Sequence, residues 1–158
     1  MPHQKKKILF VCTGNSCRSV MAEGLLLQRL QQQGRGDLQV LSAGTNTFPG
    51  MGPTLETIEV MKEQGVDVSS HVSQQLTPDL VRHADVIFCM EDFHREQILA
   101  VNPEVEPKVH LFKTFQNPVP SDNPNVPDPI GQPRQVYEAC RTTIQDGVDR
   151  IMEWMEKS

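Results

Sequence analysis

The sequence has no run of 18 or more apolar residues, and its first residues lack the apolar stretch of a secretory signal. These absences argue against a membrane-spanning helix and favour a cytoplasmic protein. Positive charge is not in surplus either: 15 Lys and Arg stand against 20 Asp and Glu, for a net charge of −5. That balance, with a pI near 5.5, removes the electrostatic footprint of a nucleic-acid or anionic-membrane binder. The basic run Lys5-Lys6-Lys7 reads as a solvated lead-in to a strand. Cysteine is scarce, and none of the four forms a CxxC pair, so no zinc site is implied and the thiols read as reduced, not as a disulfide framework. There is no internal repeat, and Gln31-Gln32-Gln33 is too short to count as low complexity. What remains is a chain of 158 residues, read as a single domain over 1–158 that is long enough to bury a real core.

Four short apolar or β-branched runs read as strands: Ile8–Val11, Gln39–Ser42, Asp85–Met90 and Lys108–Phe112. Their nearly continuous apolar character is the habit of parallel strands covered on both faces. Helical patterns lie between them. Ser19–Gln33 places Met21, Leu25, Leu26 and Leu30 on one stripe and stops at Gly34, while Pro53–Gln64 opens with proline and ends at Gly65. A short helix runs from Thr77-Pro78 to near Ala84, another spans Glu91–Val101, and the last spans Gln132–Lys157 with Val136, Ile144, Val148, Ile151 and Met155 in helical spacing. This alternation predicts right-handed crossovers and an open doubly wound sheet, whose ligands bind at the carboxyl ends of strands near a switch point. Residues 113–133 hold six prolines and little periodicity, so they read as a long surface loop of the kind that carries function.

The chemistry concentrates in Cys12-Thr-Gly-Asn-Ser-Cys-Arg18-Ser19, which follows the first strand and opens the first helix. Five residues between Cys12 and Arg18 let the loop fold around a tetrahedral oxyanion, with backbone N–H groups turned inward and the guanidinium supplying a planar fork of donors. A thiol attacks phosphorus only as its thiolate. Inward amides, Arg18 and the N-terminus of the following helix all favour that anion. A nucleotide-binding P-loop fits poorly, because the Lys-Ser/Thr after glycine is missing.

These residues resemble the low-molecular-weight protein tyrosine phosphatases. The resemblance covers nearly the whole chain and rests on Val11-Cys-Thr-Gly-Asn-Ser-Cys-Arg-Ser19, Met21-Ala-Glu23, Leu41-Ser-Ala-Gly44, Val68-Ser-Ser-His71, Ala84-Asp-Val-Ile87 and Asp128-Pro129, in the family's order. It implies an α/β fold: a four-stranded parallel twisted sheet with helices on both faces, a flavodoxin-like three-layer arrangement. It also implies a metal-independent and cofactor-free mechanism through a cysteinyl-phosphate. By position, Cys12 is implied as the nucleophile and Arg18 as the residue that binds the phosphoryl group and stabilises its transition state. Asp128 is implied as the general acid that protonates the leaving group and then activates water; alone, it reads as a plain Asp-Pro turn.

Thr13, Gly14, Asn15, Ser16, Cys17 and Ser19 complete the implied phosphate-binding set, and Phe48 supplies an aromatic wall. Asn15 sits where tight curvature demands positive φ, which asparagine tolerates. Ser19, Ser42 and His71 match the positions whose side chains hold that asparagine, and the Ser19 hydroxyl also reaches the Cys12 thiolate. Cys17 matches a cysteine that forms a reversible disulfide with the nucleophile; a small side chain packed under the loop is the alternative. Cys89 and Cys140 read as core. The implied partner is a phosphorylated protein or peptide, with no nucleic acid and no membrane, acted on by a monomer or weak dimer.

Two departures bear on substrate. Ser16 replaces the bulky aliphatic residue of the tyrosine-specific members, and Ile130-Gly131 stands where they often carry paired tyrosines. Both features resemble the protein-arginine phosphatase branch. Val20 replaces a frequent proline after Arg-Ser, which leaves the helix start intact. The same loop also resembles the thioredoxin-coupled arsenate reductases, which need two further cysteines seven residues apart to relay a disulfide. Here Cys89 is followed by no thiol until Cys140.

Overall fold

The computed structural model describes residues 5–48 and 50–157. Among the described residues four strands, β1 (Lys6–Cys12), β2 (Leu38–Gly44), β3 (Val86–Cys89) and β4 (Val109–Leu111), form one sheet in the order β2-β1-β3-β4. Every pairing is parallel. The sheet is short and its central strand is buried on both faces, which accounts for the unbroken Ile8-Leu-Phe-Val11 run. Ile8 and Phe10 point into one core with α1 (Arg18–Gln32) and α5 (Arg134–Glu156), together with α2 (Leu55–Lys62). Leu9 and Val11 point into the other, under α3 (Pro78–His83) and α4 (Asp92–Val101). Among the described residues no helix is long and apolar enough to cross a membrane.

Aromatic packing fixes the thickness of the first layer. Phe10 stacks on Phe88 at 5.7 Å and meets Phe112 edge-on at 6.0 Å. A Cβ at Gly147 of α5 would lie 2.3 Å from the Phe112 ring, so only glycine lets α5 approach there.

The elements run close to their sequence patterns, with differences at the ends. β1 takes in Lys6 and Lys7, so these lysines belong to the strand itself and not to a lead-in before it. α2 starts at Leu55, because the Thr54 side chain caps it by accepting from Thr57 N–H. α5 starts at Arg134, since Pro133 holds an extended backbone at its N-cap. A 3-10 helix over Pro103–Lys108 was not anticipated; it has prolines at 103 and 107 and no apolar period. Val136 and Met155 are only half-buried, while Tyr137 and Met152 sit in the core beside the expected residues of α5.

The topology places the site. The chain leaves β1 for α1 on one face and leaves β3 for α4 on the other, so a crevice opens between the carboxyl ends of these adjacent strands.

Candidate active site

Residues 13–17 span that crevice from Cys12 at the end of β1 to Arg18 at the start of α1. The turn is made at Asn15, whose φ is 53°. Neighbouring backbone pins the loop from outside: Thr45 N–H donates to Cys12 O at 2.9 Å, Asn46 N–H to Thr13 O at 2.9 Å and Thr54 N–H to Ser16 O at 3.2 Å. Asn15 itself is wholly buried. Its Nδ2 donates to Ser19 Oγ at 2.8 Å and Ser42 Oγ at 3.0 Å, and its Oδ1 accepts from Gln74 N–H at 3.0 Å. His71 also holds Asn15, though through the main chain: its Nε2 donates to the Asn15 carbonyl at 3.0 Å, beside Ser73 Oγ at 2.8 Å. Behind this lattice Ser42 donates to the Glu23 carboxylate. Burial raises the Glu23 pKa above its ordinary value, against the pull of Ser42 and His71.

Gly44 ends β2 directly opposite Cys12. A Cβ there would lie 2.4 Å from Thr13 O and 3.0 Å from Asn15 N, so the glycine is what lets β2 and the loop meet.

The Cys12 sulfur receives two donors. Ser19 Oγ lies 2.9 Å away, and because that oxygen accepts from Asn15 Nδ2 its hydrogen is free to turn to sulfur. Asn15 N–H donates to the same sulfur at 3.3 Å. Arg18 is only 1% exposed. Its Nη1 donates to Glu91 Oε2 and to the Val126 carbonyl, both at 2.8 Å, and its Nη2 lies 3.6 Å from Asp128 Oδ2. Burial opposes the guanidinium charge, yet Cys12, Glu91 and Asp128 together raise its pKa above the ordinary value. α1 begins there without a side-chain N-cap, leaving helix N–H groups available to an anion.

The loop floors a cavity of about 560 Å³ lined by Cys12, Thr13, Gly14, Ser16, Cys17 and Arg18, with Phe48, Met51, Asp128 and Ile130 among its walls. Phe48 stands 77% exposed at the mouth. Asp128 does two things at once: Oδ1 accepts from Ile130 N–H at 3.1 Å in a local turn, while Oδ2 faces Arg18. The loop that carries it is anchored at the wholly buried Val126, whose N–H donates to Met90 O at 2.8 Å.

All four cysteines are free thiols. Cys17 packs against Thr54 Oγ1 at 3.5 Å and Tyr137 OH at 4.0 Å. Burial pushes Cys89 and Cys140 up to about 12, the pattern of inert core thiols. Among the described residues no group of three or more His, Cys, Asp or Glu is placed to hold a metal ion.

Residues 7–158 match the family model described as low molecular weight phosphotyrosine protein phosphatase. The chain belongs to that family. A protein-arginine-phosphatase of Geobacillus stearothermophilus is 34% identical over 150 residues, covering 95% of this chain and 96% of the relative. The low molecular weight protein-tyrosine-phosphatase Wzb of Escherichia coli K12 is also 34% identical, over 138 residues and 87% of each chain. Among solved structures, a YwlE arginine phosphatase mutant with a phosphorylated active-site serine superposes with a TM-score of 0.88 at 28% identity, covering 96% of this chain and 97% of that one.

Of the residues singled out from the sequence, Cys12, Thr13, Gly14, Ser16, Cys17, Arg18, Phe48 and Asp128 line the cavity, whereas Asn15, Ser19, Ser42 and His71 lie outside that lining in the hydrogen-bond lattice that holds the loop. The structure adds to them Glu91, His94, Ser73, Gln74 and the Val126 carbonyl, and places Glu23 of the Met21-Ala-Glu23 stretch behind Ser42. Glu91 carried a partial signal, being a carboxylate just past the third strand where a doubly wound sheet has its switch point, but the strand order that brings it and His94 to the loop is not written in the sequence. The Val126 carbonyl carried none, being main chain.

Proposed function

We propose that this chain is a metal-independent protein phosphatase that removes the phosphoryl group from phosphotyrosine or phosphoarginine side chains through a cysteinyl-phosphate on Cys12. The juxtaposition in one cavity of a buried sulfur with two donors, a buried guanidinium and a half-exposed carboxylate carries the reading. The phosphoryl oxygens lie against the loop and Arg18, which favours the charge of the transition state. The Cys12 sulfur forms a bond to phosphorus as the bond to the leaving oxygen or nitrogen breaks. Asp128 gives its proton to that leaving atom, then takes one from the water that attacks the cysteinyl-phosphate, releasing inorganic phosphate and restoring the thiolate. The Ile130 N–H holds Oδ1 of Asp128 and leaves Oδ2 for these transfers.

A second, narrower reading is phosphoarginine specifically. It is favoured by Ser16 on the cavity floor and by Ile130 at the lip, which leave Phe48 as the aromatic wall. A nucleophile that must remain a free thiol suits a reducing compartment, so the cytoplasm is the proposed location. A phosphorylated protein is the proposed partner, and the chain is proposed to act as a monomer or weak dimer.

The test is hydrolysis of para-nitrophenyl phosphate in the presence of a chelator, inhibited by vanadate, followed by paired kinetics on phosphotyrosine and phosphoarginine peptides. Activity that survives unchanged in Cys12→Ser removes the mechanism. Arsenate reduction coupled to thioredoxin would replace the hydrolytic reading with a redox one.

A further inference from the structure

One buried group of the site has no part in the mechanism above. His94, in the first turn of α4, is 0% exposed, and both of its ring nitrogens are engaged. Nδ1 accepts from the Glu91 backbone N–H at 3.0 Å, which leaves the proton on Nε2. Nε2 lies 2.9 Å from Thr13 Oγ1 and therefore donates to it. Thr13 follows the sulfur residue directly and its atoms line the cavity. Its hydroxyl has one hydrogen-bond partner among the described residues, His94, and that bond uses a lone pair. The hydroxyl hydrogen is left without an acceptor among the described residues.

We propose that His94 is a positioning residue that, as a neutral donor, orients the Thr13 hydroxyl so that Thr13 donates to an oxygen of the bound phosphoryl group. The proposal rests on the phosphatase reading and adds a ligand contact to it. Without His94 the hydroxyl is free to rotate and to spend its hydrogen elsewhere. With it, the rotor is fixed before substrate arrives, which is the preorganisation that transition-state stabilisation requires. Burial, followed by the nearby Arg18, holds the His94 pKa down to about 4 against Glu91 and Asp128, so the required tautomer persists at neutral pH. The same turn of α4 also reaches the far end of the loop, where Glu91 holds Arg18. One helix end thus orients a donor on each side of the sulfur.

A purely structural role for His94, capping α4 and filling space, is separable from positioning by side-chain length. His94→Asn keeps an acceptor near the Nδ1 position for Glu91 N–H but does not reach Thr13; His94→Gln places an amide N–H where Nε2 was. Thr13→Val removes the donor itself. A charge-assisted hydrogen bond to a phosphoryl oxygen is worth about 10- to 100-fold in rate, so Thr13→Val lowers kcat on para-nitrophenyl phosphate by that factor with little change in KM. His94→Asn lowers kcat about tenfold, and His94→Gln recovers most of the loss. In the Thr13→Val background His94→Asn adds nothing, because the two act through one bond.

Thermal unfolding of each variant shows that it is folded. Wild-type kcat in Thr13→Val, or losses that multiply in the double variant, overturn the proposal. Should His94→Asn fail to fold, Thr13→Val and His94→Gln decide it by the same criteria. An inactive wild-type protein sinks the phosphatase reading and this inference with it. An active wild type with unaffected Thr13→Val and His94→Asn sinks this inference alone.

Discussion

Gly44→Ala is a single methyl group added 2.4 Å from the Thr13 carbonyl oxygen and 2.5 Å from Thr47 Cγ2. The Thr47 methyl belongs to a side chain and can turn away. The carbonyl cannot, because it is main chain in the turn that follows Cys12 and accepts from Asn46 N–H. Restoring a separation of 3.0 Å requires β2 or the loop to move by at least about half an ångström. The third neighbour, Asn15 N at 3.0 Å, is the donor to the Cys12 sulfur, so the displacement falls on the groups that orient it. Overpacking of this kind costs about 1–3 kcal/mol of stability. A misplacement near 1 Å costs about 100-fold in rate, so half of that predicts roughly a tenfold loss or more in kcat/KM. The assay is steady-state hydrolysis of para-nitrophenyl phosphate with urea unfolding in parallel. Gly36→Ala serves as the control, since nothing lies within 4 Å of a Cβ there. A Gly44→Ala variant within twofold of wild type in kcat/KM would refute the argument that close approach of β2 shapes the loop.

Asn15→Ala loses positive-φ tolerance and three side-chain hydrogen bonds, and is expected to cost about 2–4 kcal/mol in urea unfolding. Asn15→Gly should regain about 1 kcal/mol of it; equal losses would remove backbone strain from the account. Glu91→Gln keeps the shape of the Arg18 contact without its charge, and vanadate inhibition measured at constant pH should change by about tenfold; no change means that Glu91 does not set the guanidinium. His94 binds a proton in the unfolded chain near pH 6.5 but in the folded protein only near about 4. Stability from this group is therefore complete above pH 6.5 and falls as pH drops toward 4, by about 3 kcal/mol. Urea midpoints across that range should flatten in His94→Asn, and an unaltered slope excludes His94 as the source. Asp128→Asn should slow turnover most for poor leaving groups, and a loss independent of leaving-group pKa argues against proton transfer by Asp128.

Adjacent residues alone are enough to read several features of this chain. Ile8-Leu-Phe-Val11 has no polar face and so reads as a strand covered on both sides, and the spacing from Cys12 to Arg18 between strand and helix is a local pattern that needs no distant contact to be recognised. Asn15 at the tight turn follows from the same local logic, as its φ of 53° shows. What meets this loop from distant parts of the chain is a matter of packing in three dimensions. Glu91 and His94 reach it because β3 lies beside β1, and strand order is set by layer packing over some 70 residues of chain, not by any period within it. Val126 contributes a carbonyl, which every residue has, so no side chain could announce it. His71 likewise grips a main-chain oxygen instead of an amide side chain, a contact between segments 56 residues apart in the chain.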